Sequence, residues 1–454
     1  MRTELPFPMN AAEIAAACGG HLTEGGSQVI GAITTDSRLV RSGDMFVALR
    51  GAHADGHLFL RDAAERGAAL LLSEQPTRRG LTVPDTRLAL SALAAHSLRE
   101  HRIPVIAITG SVGKTGTKDA VAAALSPRFR VHKTTENQNN ELGVAFTLLS
   151  RPAESDLLVL EFGTNAPGEI AAHASYAPPD VAILTAIGSA HIGAFGSREA
   201  ILAEKSAMLK DMREGLVILN GDDPYLSGLA PCVPTLRVGL APDLSPSASR
   251  ISYSRYGTSY TLTGYERERR VFLRSVGRPH VYSSLFAIAT ALHFGVPLHE
   301  ILDALFRMPQ AVGRQSVCDA GGVLLIDDAY NASPESMAAA LELLSSLGRG
   351  RRRIAVLGDM LELGTEEGKL HKELGGLAAG HCDLLFPFGG LAEEIRRGAE
   401  EAGMIPEAIF PCQSAELCRR TLMPMLTDGD VVLVKASHAL GGLSIADCIR
   451  RRGH

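Results

Sequence analysis

Four short runs in the middle of the chain are apolar at nearly every position: "VIAIT" from 105, "LLVLEF" from 157, "VAILTAI" from 181 and "GLVILN" from 215. A strand with one solvated face would alternate. Unbroken apolar runs of this length predict parallel strands covered by helices on both sides. Residues 99–309 therefore read as one α/β unit. Residues 1–98 carry shorter signals: "GAITTDSRLVRSGDMFVAL" reads as strand, polar turn, strand, and "LFLRDAAERGAALLL" as helix then strand. The amphipathic stretch "RLALSALAAHSLREHRIP" predicts a helix that stops before Pro104, a natural interdomain joint. Residues 310–454 repeat the strand–helix alternation with "GVLLIDDAY", "RIAVLGD", "LLFPFG" and "DVVLVKAS". Only 248–275, rich in Ser, Arg and Tyr, breaks the pattern and predicts a small antiparallel appendage. The expected fold class is α/β in three domains, since 454 residues exceed what one core serves.

Charge and cysteine usage narrow the partners. A formal charge of −5 gives no general attraction to nucleic acid or anionic membrane. The basic run "GRGRRR" (348–353) reads as a solvated turn before the strand "IAVLG". Seven cysteines at scattered positions, with no C-x-x-C pair, point to reduced thiols and a cytoplasmic protein. The first residues, "MRTELPFPMNAAEI", lack the apolar core of an export signal, and no stretch approaches 18 apolar residues. A soluble protein without membrane insertion is expected.

The candidate chemistry sits in "TGSVGKTGT" (109–117), between a predicted strand and a predicted helix. Gly110 and Gly113 permit torsions that let consecutive N–H groups of Ser111, Val112 and Gly113 turn inward on phosphate oxygens. The helix starting near Lys114 adds its positive end. Lys114 has the reach for terminal phosphates, and the Thr115 hydroxyl suits a Mg²⁺ ion, with Gly116 following. The spacing is shorter than the general G-x-x-x-x-G-K-[ST] loop, whose first glycine would fall on Ile108. The loop alone leaves ATPase, GTPase, kinase and ligase open. A switch protein would carry D-x-x-G and N-K-x-D-type segments, and neither follows the loop.

Further segments narrow this choice. The loop is followed by "TTENQNNELGVAFTLL" (134–149), "LEFGTNAPGEI" (160–170), "AHIGAFGSREAILAEKS" (190–206), "GRQ" (313–315), "IDDAYNASPESM" (326–337) and "VLGDMLELG" (356–364), and preceded by "TDSRLVRSGDMFVALRGAHADGH" (35–57). In this order the chain resembles the Mur ligases, cytoplasmic ATP-dependent amide-bond synthetases of peptidoglycan precursor assembly, and most closely their MurF branch. The resemblance implies an N-terminal domain (1–98) for a UDP-sugar peptide, a central P-loop ATPase domain (99–309) and a C-terminal Rossmann-like domain (310–454) for the incoming amine. It implies that ATP phosphorylates a peptide carboxylate and that D-Ala-D-Ala attacks the acyl phosphate, a step that needs placed cations more than covalent protein chemistry.

By the same resemblance Glu161 and His191 hold two Mg²⁺ ions together with Thr115, and Lys205 is carbamylated to help hold the second. For Lys205 the plainer alternative is a surface lysine paired with Glu204 or Glu199. Asn139 and Asn140 fall at the adenine, Arg314 at the γ-phosphate, Asp328 at the ribose with Asn331 beside it. Ser37, Arg38, Asp55, Gly56 and His57 fall at the UDP-sugar. Lys114, His191, Lys205 and Arg314 form the implied catalytic set. Nucleotide contacts from two domains imply closure on ATP, and the family habit is a monomer. The chain departs from the branch at Pro279, His280 and Ser283 (family G-x-H-N-x-x-N-A), at His191-Ile192-Gly193 (family H-L-E), at Ser333, and at "KASHAL" (435–440). These departures leave open a ligase of the same kind with a different acyl acceptor or amine.

Overall fold

The computed structural model describes residues 2–51, 54–135, 138–265, 267–310 and 313–453. Ala52 and His53 of the "GAHADGH" segment and Glu136 and Asn137 of "TTENQNN" lie outside the described residues.

The apolar runs form the strands their pattern predicts. Val105–Thr109, Leu157–Glu161, Val181–Leu184 and Leu216–Asn220 are buried at every position. With Val131–Lys133 and Thr235–Val238 at the edges they make a six-stranded sheet, parallel throughout. Alternate residues of one strand serve opposite cores. Val105 and Ala107 face helices Thr86–Glu100 and Glu141–Leu149. Ile106 and Ile108 face helices Lys114–Leu125 and Arg278–His293. Each fully buried Leu, Ile or Phe there stabilises the fold by roughly 1.5–3 kcal/mol.

The first core does not stop at the expected joint. It runs from Ile14 of helix Ala11–Cys18 and from Ile30 and Leu72 of the N-terminal sheet through Leu90 and Leu93 to the central strands. Helix Thr86–Glu100 belongs to both units, and its Ser91 hydroxyl donates to Glu141, 3.3 Å away. The N-terminal sheet has six strands in the order Arg2–Asn10, Val29–Thr34, Met45–Val47, Leu70–Ser73, Gly80–Thr82 and His21–Leu22, antiparallel only at its two edges. The expected appendage is a three-stranded antiparallel sheet, Ser247–Ser254, Gly257–Thr263 and Arg269–Leu273.

The C-terminal sheet orders Ser316–Ala320, Val323–Asp328, Val431–Lys435, Arg353–Gly358 and Leu384–Phe388, with only the first strand antiparallel. Its basic run is structural. Arg352 pairs with Asp430, Arg353 with Asp383, and Arg351 donates to the carbonyls of Gly429 and Asp430. All seven cysteines carry free thiols.

Candidate active site

The loop after Val105–Thr109 lies at the carboxyl end of the sheet, where the chain leaves to neighbouring strands on either side; ligands of open α/β sheets bind at such a point. Gly110 and Gly113 take φ of 151° and 84°. A Cβ on Gly110 would stand 1.9 Å from Thr185 Oγ1, so the close approach requires glycine. Thr185 in turn donates to the Val112 carbonyl at 2.6 Å. The Ser111 amide donates to Ala186 at 2.8 Å, and its hydroxyl accepts from the Gly188 amide at 2.9 Å. The neighbouring strand's exit loop thus holds the glycine loop in shape.

Lys114 opens the helix and folds back to donate to the Gly110 carbonyl at 2.8 Å. Burial and nearby Arg314 push its ammonium below the usual lysine range, while Glu161 opposes them. Such a cation gains when an anion enters the cavity. The Thr115 hydroxyl donates to Glu161 Oε1 at 3.2 Å, as does the Asn139 amide at 2.9 Å. Glu161 Oε2 is buried without a hydrogen bond; the Lys118 ammonium stands 3.9 Å off, close enough for charge pairing only. A carboxylate oxygen left over beside a threonine hydroxyl suits Mg²⁺, which takes one or two protein oxygens and fills its shell with phosphate and water. Among the described residues no three His, Cys, Asp or Glu side chains cluster into a ready-made metal cage. Thr115 and Glu161 fit an ion whose shell a nucleotide and water complete.

Around the loop opens a cavity of about 740 Å³ between the central and C-terminal sheets. It brings together Lys114, Thr115, Asn139, Asn140, Glu161 and His191 with Arg314, Asp328 and Asn331. Lys205 is not among the residues that line it, although the charge of Lys114 is felt at its amine. That lysine is 2% exposed, and the surface-pairing alternative fails; no hydrogen bond to its amine is found among the described residues. Burial, then Lys114, lowers its pKa to about 7, against Glu204. His191 takes a left-handed φ of 63° and pairs through Nδ1 with Glu362 of the C-terminal unit. Burial holds it neutral-leaning in spite of Glu362. Arg314 stacks its guanidinium 4.0 Å over the Tyr330 ring.

Several of the expected residues also have partners within the protein. Asn140 lines the cavity while its Oδ1 caps helix Glu141–Leu149 through the Gly143 amide at 2.9 Å. Asn139 donates its side-chain amide to Glu161. Asp328 is held in a buried pair with Lys435 at 2.7 Å and accepts the Gln315 amide at 3.2 Å, so it reaches the cavity as half of an ion pair. Asn331 bonds its own neighbour's amide and gives its carbonyl to Lys435.

The N-terminal five divide. His57 is buried, donating from Nδ1 to Asp55 at 2.7 Å and accepting the Glu74 amide on Nε2 at 3.0 Å. Gly56 passes so near Leu49 that a Cβ would meet its backbone at 2.7 Å. Asp55, Gly56 and His57 form a structural pin, and the buried Ser37 lies against Asp62. Arg38 remains exposed, steered by Asp36 at 2.7 Å.

The cavity also holds His280, one of the departures from the motif, and two residues outside the expected set, Tyr282 and Glu335. His280, where the branch has asparagine, meets the Arg314 backbone, and burial lowers its pKa to about 4. Tyr282 donates to Asp222 at 2.8 Å, and Glu335 reaches in from helix Pro334–Leu347. Ser333 explains its own departure: it caps that helix reciprocally with Ser336. Gly193 does likewise, because a Cβ there would stand 2.7 Å from the Gly364 backbone nitrogen.

Profiles of the Mur ligase family match three stretches: the family's catalytic domain at 29–136, its middle domain at 108–291 and its glutamate ligase domain at 313–438. The UDP-N-acetylmuramoyl-tripeptide–D-alanyl-D-alanine ligase of Bacillus subtilis strain 168 is 34% identical, covering 91% of each chain. The chain belongs to the Mur ligases. The enzyme of the same name from Escherichia coli K12 is 34% identical over 95% of this chain and 96% of its own. Among solved structures, MurF from Acinetobacter baumannii superposes with a TM-score of 0.92 at 29% identity, over 98% of this chain and 99% of that one. MurF from Thermotoga maritima in complex with ADP superposes at 0.85, with 29% identity, over 92% and 97%. Within the Mur ligases these matches put the chain in the MurF branch, an ATP-dependent ligase of three α/β domains.

Proposed function

We infer that this Mur ligase joins D-Ala-D-Ala to the UDP-N-acetylmuramoyl tripeptide through an acyl phosphate, with ADP and phosphate released, acting as a cytoplasmic monomer. The observation that carries the reading is Glu161 Oε2, a buried carboxylate oxygen without a hydrogen-bond partner beside the Thr115 hydroxyl at the mouth of a glycine loop. Thr115 and Glu161 would hold Mg²⁺, which supplies charge neutralisation between phosphate and the incoming carboxylate. The loop amides and Lys114 orient the triphosphate. Lys114 exchanges its bonds to loop carbonyls for phosphate oxygens, and Arg314 meets the terminal phosphate from the opposite wall. His191 and a carbamylated Lys205 are the proposed holders of a second ion. A lysine whose pKa is near 7 offers CO₂ the neutral amine that carbamylation needs. Arg38 is the proposed contact for the UDP diphosphate.

The test uses the tripeptide substrate labelled with ¹⁸O in its acceptor carboxyl. Transfer of one label into inorganic phosphate, only when ATP and D-Ala-D-Ala are both present, is expected. Phosphate without label, or release indifferent to the dipeptide, refutes the acyl-phosphate reading.

A further inference from the structure

Glu335 has no part in the chemistry above, yet it joins the C-terminal unit to the central one through several polar contacts. It stands in the first turn of helix Pro334–Leu347. Its Oε1 accepts the Ser189 amide at 2.8 Å and the Ser189 hydroxyl at 3.0 Å. Arg198 donates to the same hydroxyl oxygen at 2.8 Å and stands 3.4 Å from the carboxylate. Gly188 makes the room: a Cβ there would fall 2.6 Å from Glu335 Cδ.

Residue 188 also faces the other way. Its amide donates to the Ser111 hydroxyl inside the glycine loop, and Ser111 is further held by Ala186. Adjacent peptide units thus grip the phosphate loop on one side and the C-terminal helix on the other. A second contact lies beside this one, where the Gly193 amide donates to the Glu362 carbonyl at 3.2 Å and His191 pairs with the Glu362 side chain. The unit that carries Glu335 also carries Arg314, whose charge is felt at Lys114 across the cavity.

We propose that Glu335 is a positioning residue that latches the C-terminal domain onto the 186–189 loop, setting Arg314 against the phosphates held by Lys114. It acts through Ser189 and the glycine loop by way of Oε1; its Oε2, buried without a hydrogen bond, takes no part in the latch. The proposal rests on the cavity's being the nucleotide site.

The test is a double-mutant cycle on the full chain. Glu335→Ala is expected to lower kcat about tenfold or more, the size of ordinary coupling between sites, with an unchanged melting temperature. In an Arg314→Ala background the same change is expected to have little further effect, because delivery of Arg314 is what the latch accomplishes. Glu335→Asp restores part of kcat, and Ser189→Ala, which keeps the amide contact, gives a smaller loss and stands in should Glu335→Ala fail to fold. Small-angle scattering with ADP and Mg²⁺ should show a larger radius of gyration for Glu335→Ala than for the wild type. Additive losses in the cycle, an unaltered kcat, or equal compaction overturn the proposal. A wild type that binds and compacts on ADP yet fails to join the dipeptide refutes the ligase reading and leaves the latch standing.

Discussion

Two short turns, each lying beyond a strand that runs parallel to both its neighbours, are expected to bind substrate: 110–116 in the central domain and 55–57 in the N-terminal domain. They differ in what their polar atoms have left to give. In the first, Glu161 Oε2 has no hydrogen bond and Lys114 holds only loop carbonyls. In the second, both ring nitrogens of His57 are committed, one to Asp55 and one to the Glu74 amide. A binding turn keeps donors and acceptors in reserve because the ligand completes them; a structural turn has already used them. Motif letters do not carry that distinction, whereas the hydrogen-bond count around each side chain does.

The sharpest way to break the comparison is Lys114→Ala. Substrate-dependent phosphate release should fall by about 10³-fold or more, the scale for losing a preorganised charge at a transferring phosphoryl group. The melting temperature should hold or rise, since the change removes a cation that burial already disfavours. A release rate within threefold of wild type, as an order-of-magnitude criterion, would move the chemistry elsewhere.

Next comes Lys205, where Lys205→Ala is expected to cost roughly 10²-fold, a loss typical of removing one group that holds a metal. Its pH dependence has a definite sign. With a folded pKa of about 7 the amine is charged below that value and neutral above it. Turnover should rise as pH passes upward through 7 and fall when dissolved CO₂ is removed. A flat profile from pH 6 to 8, set about one unit either side of that value, contradicts the carbamate.

His57→Ala should act on the fold. Stranding the Glu74 amide is expected to cost roughly 1–3 kcal/mol in urea unfolding, with kcat nearly unchanged. A collapse in kcat at full stability would return His57 to the substrate site. Arg38→Ala gives the smallest expected signal and its opposite: the melting temperature stays put while KM for the UDP substrate rises. An unchanged KM removes Arg38 from the diphosphate.

The legible parts of the chain share one property, short range. Unbroken apolar runs fix the strands because burial on both faces is written residue by residue. The glycine loop is legible because Gly110, Gly113, Lys114 and Thr115 act through backbone torsions and immediate neighbours. Asn139 and Asn140 are legible as cavity residues, but their bonds to Glu161 and to a helix start are not. Lys435 with Asp328 and Glu335 with Ser189 lie 107 and 146 residues apart along the chain, and no local pattern announces either pair. The burial of Lys205 was equally invisible, since helix periodicity does not say which neighbour covers a given face.

Gly193 and Gly364 bring the central and C-terminal units together with no room for a Cβ on either side. Such a joint cannot absorb growth on one side alone. Proteins of this shape that carry a bulky residue at 193 are expected to have a recessed segment opposite it, so the two surfaces should change together over evolutionary time. A chimera that borrows only one of them from a bulkier relative should jam before its halves meet; swapping both should restore turnover.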